Sequence, residues 1–88
     1  MARRKYNPYD ILLVQWDDAA GCSGWNKNEE RLLEPHHVNT VGMYLRQNKG
    51  RLLLCMNHAW EEVNHGDYMS IPRGMIRNIE VLKRARKV

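Results

Sequence analysis

Apolar and polar positions divide the chain into short β-type segments separated by polar turns. From Tyr9 to Trp16 the apolar residues fall on both faces, with Ile11 and Leu13 on one and Leu12, Val14 and Trp16 on the other. This pattern predicts a first strand that is buried on two sides or capped by a neighbour. Val38–Arg46 predicts a second, with Val41, Met43 and Leu45 sharing a face. Gly42 in its interior predicts a bend or bulge. Asn48-Lys49-Gly50 predicts a hairpin turn with Gly50 suited to positive φ, and Arg51–Asn57 the third strand. Glu61–Asp67 reads as a polar connection and Tyr68–Ile71 as the fourth strand. Pro72-Arg73-Gly74 predicts a single 3₁₀ turn, and Ile76, Ile79, Val81 and Leu82 a closing strand.

Between the first two strands the pattern changes. Residues 17–26 carry Gly21, Gly24, Ser23 and Asn26, the chemistry of a loop. Asn28–Glu34 predicts a short helix, with Asn28 as its cap, Glu29 and Glu30 in its first turn and Pro35 as its stop. Two helical turns do not stand alone in water, so Leu32 and Leu33 are expected to dock on the sheet. The expected architecture is mainly β, a small five-stranded barrel with one short helix.

Length allows a single domain over the 88 residues, ordered from about Pro8 to Leu82. A domain this small has a modest core, which makes self-association a natural route to stability. No segment approaches the roughly 18 consecutive apolar residues of a membrane helix, and no leader is expected behind Arg3-Arg4-Lys5. The expectation is a cytoplasmic protein without a membrane partner. In that compartment Cys22 and Cys55 default to free thiols, a Cys22–Cys55 disulfide being the alternative.

The formal charge of +4 is unevenly placed. Arg3, Arg4, Lys5, Lys83, Arg84, Arg86 and Lys87 supply half of the 14 basic residues from the two ends, while residues 6–82 carry a net −3. Such ends either contact phosphates or acidic surfaces, or are frayed and solvated.

Val14-x-Trp16-x-Asp18, Gly24-Trp25, the short acidic helix, Thr40-Val41-Gly42 and Ile71-Pro72-Arg73-Gly74-x-Ile76-x-x-Ile79-x-x-Leu82 together resemble small phage and prophage proteins of uncharacterised role. The resemblance spans roughly residues 10–82. It implies an SH3-like or Sm-like barrel in the host cytoplasm. The closing segment is also similar to the second Sm motif, where an Arg-Gly pair precedes the last strand. That resemblance implies subunits joined by pairing strand 4 of one with strand 5 of the next, which here involves Tyr68, Met69, Ile79 and Val81. The Sm RNA pocket is not implied, because Asn48 and Lys49 sit in the turn with no matching Asp.

Candidate chemistry is sparse. Adjacent His36 and His37 point to opposite faces of an extended chain, and neither cysteine has a partner at zinc-site spacing. Cys55 in an apolar strand reads as an inert core thiol; Cys22 has no catalytic signature around it. Gly21-x-x-Gly24 lacks the Gly-Lys-Ser/Thr of a phosphate loop. Neither an enzyme nor a cofactor is expected. Aromatic rings beside cations can clamp a nucleotide: Trp25 with Lys27, Tyr44 with Arg46, and Arg73 with Arg77. Trp16 ends an apolar strand and reads as core, whereas Trp60 suits a barrel cap or an interface. Two functions follow. One is an oligomeric binding module for a signalling nucleotide or nucleic acid. The other is a structural or adaptor role through protein contacts at strand edges.

Overall fold

Among the described residues, five antiparallel strands make one sheet, in the order β4-β3-β2-β1-β5. They are β1 (Ile11–Asp18), β2 (His36–Gln47), β3 (Arg51–Ala59), β4 (Asn64–Pro72) and β5 (Ile76–Lys83), with a 3₁₀ turn at Arg73–Met75. The computed structural model describes residues 5–18, 36–59 and 64–86. The helix expected at Asn28–Glu34, Cys22 and Trp60 lie outside the described residues. None of the described helices is long and apolar enough to cross a membrane.

The core sits on one face of the sheet. Leu12, Val14 and Trp16 of β1 alternate inward and meet Tyr44 of β2, Leu52 and Leu54 of β3 and Ile71 of β4. Ile76, Ile79 and Val81 of β5 pack against this cluster. Ile76 and Ile79 are three residues apart and would face opposite ways on a regular strand. A register shift opposite Gln15 and Trp16 corrects this, because Gln15 pairs with Asn78 and Trp16 with Ile76, skipping Arg77. A second shift skips Leu82, which is left exposed.

Connection length forces the sheet to curl. In a flat sheet, β4 and β5 would lie about 19 Å apart, four spacings of about 4.8 Å. The chain passes from Pro72 to Ile76 in four residue steps, a reach of at most about 14 Å even when extended. The outer strands must therefore approach each other at this end. Arg73 N–H donates to Gly50 O (2.9 Å), tying the turn to the β2–β3 hairpin. Among the described residues β4 and β5 share no ladder, so the sheet is curled but not closed.

Several boundaries differ from expectation. β1 starts at Ile11 rather than Tyr9, because Tyr9 has φ 72° and cannot continue a strand. It runs on to Asp18, with Asp17 paired against His37. β4 begins at Asn64, within the stretch that reads as a polar connection. It is an outer strand, so solvent-facing polar residues satisfy its pattern and hide it from periodicity. At the hairpin, none of the described glycines has positive φ. The Asn48 side chain builds the turn instead, its Oδ1 accepting from Gly50 N–H (2.8 Å) and Arg51 N–H (2.7 Å).

Gly42 is required by close approach rather than by a bulge. The β2–β3 register shift lies between Tyr44 and Arg46. A Cβ at Gly42 would stand 2.9 Å from Met56 Cε, 3.1 Å from Leu54 Cβ and 3.3 Å from the Cys55 carbonyl oxygen. Gly42→Val is expected to destabilise the fold by about 1–3 kcal/mol through overpacking. Urea unfolding measures it; an unchanged midpoint would refute the close-approach account.

Candidate functional site

The turn before β1 organises the most ligand-like region of the surface. Asp10 N–H donates to Asn7 O (3.0 Å), closing a four-residue turn with Pro8 second and Tyr9 third. Pro8 and a positive φ at the third position fit a type II turn, where Gly or Asn is usual. Tyr9 holds that place at a strain of order 1–3 kcal/mol, a kind of outlier that clusters at functional sites. Its N–H donates to Tyr44 O (2.7 Å), and Tyr44 N–H donates back to Asp10 O (2.9 Å).

Fixed in this way, the Tyr9 ring stacks on His58 of β3, with centroids 4.1 Å apart and planes 9° from parallel. The Tyr9 hydroxyl is hydrogen bonded to His65 Nε2 of β4 (2.9 Å). His58 and His65 are cross-strand partners, and Tyr68 meets His65 edge-on. Four rings from three separate segments thus form one cluster.

Beside it lies a pocket of about 440 Å³. Tyr9 and His58 supply its rings, and the cross-strand pair Ile11 and Met43 its apolar wall. The remaining lining is the segment from Lys83 to Arg86. That segment is not a frayed end. Ala85 N–H donates to Asp10 Oδ1 (2.8 Å), and Arg84 Nη1 donates to Asp10 Oδ2 (2.8 Å) and to Lys5 O (2.9 Å).

Asp10 is fully buried. Burial alone would push its carboxyl up; donation from the Ala85 and Asn7 N–H groups and from Arg84 outweighs this and holds it below 3.8. The buried carboxylate neutralises Arg84. Lys83 and Arg86 are exposed and have no ion pair among the described residues. No acidic side chain lines this pocket among the described residues.

A second concavity, about 360 Å³, opens between β1, β2 and β5. Asp17 is its centre, accepting from Arg77 Nε (2.6 Å) and lying 2.7 Å from His37 Nδ1. First His37 and then Arg77 hold the Asp17 carboxyl below its ordinary value, against partial burial. Among the described residues no group of three or more His, Cys, Asp or Glu comes together as a metal site. Cys55 is a buried free thiol, and burial pushes its pKa up, as suits a core position.

The residues named from the sequence are scattered. Trp25 and Lys27 lie outside the described residues. Tyr44 is buried in the core, tilted against the Tyr6 ring, so its face is not open to a ligand. Arg46 is exposed on β2. Arg73 donates from its guanidinium to Gln47 Oε1, and Arg77 is held by Asp17. On the outer strands, Tyr68 and Met69 are exposed, whereas Ile79 and Val81 pack on the core of their own chain.

Sequence reasoning passed over Tyr9, Asp10, His58 and His65. Asn7-Pro8-Tyr9-Asp10 is a turn signal that could have drawn attention to Tyr9. His58 and His65 become neighbours only once β4 is extended back to Asn64.

Comparison with family models, curated proteins and solved structures finds no match to this chain.

Proposed function

We propose that this chain is a non-enzymatic binding module for a nucleotide-type ligand, and that its ligand site is the pocket between the Tyr9–His58 stack and residues 83–86. The observation that carries this reading is the joining, in a single concavity, of aromatic rings, an apolar wall and cations with no ion pair among the described residues. Ring faces and edges suit a base, and cations suit phosphate. The strained backbone at Tyr9 is a second, independent pointer, since it places a ring where glycine would relax the turn.

The finer fold reading belongs with this proposal. The curled sheet and the short link between β4 and β5 fit an SH3-like or Sm-like barrel of the kind found in small phage proteins. The outer edges of β4 and β5 have no ladder partner among the described residues, and Tyr68 and Met69 are exposed on β4. Pairing between copies at these edges accounts for both. The same edges favour the second reading, an adaptor that adds a partner's strand. Native mass spectrometry separates the two: a homo-oligomer is expected, and a strict monomer at high concentration would remove self-pairing.

Ligand binding is read most directly by thermal shift. Nucleotides present at 100-fold over Kd are expected to add about 2.7 kcal/mol of stability, which raises Tm by roughly 10–20 °C in a domain of this size. His58→Ala should weaken binding roughly 5- to 100-fold, the loss of one stacking partner. Arg77→Ala, in the other concavity, should leave affinity unchanged. If no nucleotide shifts Tm, the nucleotide reading fails.

A further inference from the structure

The charge around the pocket is specific enough to narrow the ligand. Of the three basic side chains that line it, Arg84 is neutralised by Asp10. Lys83 and Arg86 remain, one on each side of the pinned Arg84–Ala85 pair. The backbone that carries them is already ordered, by Ala85 N–H on Asp10 Oδ1 and by the Arg84 bonds to Asp10 and Lys5. Binding an anion there does not have to immobilise a loose tail first.

We infer that the pocket takes one nucleotide unit ending in a phosphate monoester, with its base against the Tyr9–His58 rings and its phosphate between Lys83 and Arg86. The inference rests on the nucleotide reading above and adds charge and size to it. A monoester carries about −1.5 to −2 at neutral pH, with a second ionisation near 6, which matches the two cations that have no ion pair among the described residues. A phosphodiester carries a single charge and leaves one of them unmatched. A volume of about 440 Å³ lies toward the lower end of the roughly 300–1,000 Å³ of ligand pockets. That is room for one base, one sugar and one phosphate rather than a run of nucleotides. The net −3 of residues 6–82 also works against a long phosphate track across the surface.

Free mononucleotides and the 5′-phosphorylated end of an oligonucleotide share this chemistry, so the test includes both. The full chain is titrated calorimetrically with the 5′-monophosphates of adenosine, guanosine, cytidine and uridine. Parallel titrations use the same four nucleosides, their 3′,5′-cyclic monophosphates, and a ten-nucleotide single strand with and without a 5′-phosphate. At least one monophosphate is expected to bind 10-fold or more tighter than its cyclic form, with the nucleoside weaker again. The phosphorylated decamer should bind no tighter than the mononucleotide. Lys83→Ala and Arg86→Ala should each weaken the monophosphate at least 5-fold and the nucleoside far less, with Tm unchanged since both side chains are exposed.

Equal affinity for the monoester and the cyclic diester overturns the inference but leaves the nucleotide reading standing. So does a decamer that binds 10-fold tighter than any mononucleotide. If none of these compounds binds, both fail together.

Discussion

Trp16→Ala is expected to remove a large share of the folding stability. Trp16 is only 9% exposed and sits where three strands meet, opposite Val38 of β2 and Ile76 of β5. Truncating such a side chain costs about 3–5 kcal/mol. A domain of 88 residues has roughly 4–13 kcal/mol in total, at 0.05–0.15 kcal/mol per residue. The indole N–H also donates to Thr40 Oγ1 (2.9 Å), so shape and hydrogen bond can be separated. Trp16→Phe keeps an aromatic ring in place and should cost about 1–2 kcal/mol, the lost bond and a small void. Urea unfolding of both variants gives the comparison. A loss below 1 kcal/mol for Trp16→Ala would show that this end of the sheet is not part of the cooperative core.

Asp10→Ala is expected to lower stability by about 2–3 kcal/mol and to release residues 84–86. Three donors converge on this fully buried carboxylate, from Asn7, Arg84 and Ala85. Removing it leaves the two backbone N–H groups without their acceptor, and each lost partner costs about 1–3 kcal/mol where no water replaces it. Breaking a wholly buried ion pair costs 3–5 kcal/mol; here the Arg84 side chain is 59% exposed and can be hydrated, which keeps the expected loss lower. The 83–86 segment lines the proposed ligand pocket, so affinity should fall along with Tm. Loss of Tm with full retention of affinity would separate the latch from the pocket.

The same carboxylate predicts acid sensitivity. Its pKa is lowered in the folded chain, so its contribution is complete above the ordinary value of 3.8 and is lost as pH falls from there toward the folded value. Asp17 shifts in the same direction and adds to the effect. Stability should therefore drop on acidification below about pH 4, and Asp10→Asn should remove part of that slope. An unchanged slope would mean that Asp10 is no better stabilised as an anion in the folded chain than in the unfolded one.

Legibility of the fold followed burial. Alternation at Leu12, Val14 and Trp16 placed β1 in the core because every second position must leave water. The Asn48-Lys49-Gly50 hairpin and the 3₁₀ turn after Pro72 were readable because turns are set by local chemistry. β4 was read too short, since an outer strand satisfies its ladder on one side and leaves polar residues such as Asn64 and Asp67 no penalty for facing solvent. Tyr44 was misplaced for a different reason. Its neighbour Arg46 suggested a clamp, but Gly42 and Tyr44 share the inward face of β2, and the Tyr44 ring packs in the core.

The pocket beside Tyr9 and His58 was the least legible part. Tyr9, His58 and Lys83–Arg86 come from three distant stretches, and nothing in any one of them points to the other two. Local pattern was enough to bury Leu12, Val14 and Trp16, to locate the hairpin and the 3₁₀ turn and to mark the ends as basic. Those properties depend on neighbours within a few positions. The packed fold was needed to show that Tyr9 stacks on His58, that Asp10 captures Arg84 and Ala85, and that Lys83 and Arg86 have no ion pair among the described residues. The physical reason is that these contacts depend on strand register and on the curl imposed by the short β4–β5 link, which bring residues more than 70 positions apart within hydrogen-bonding distance.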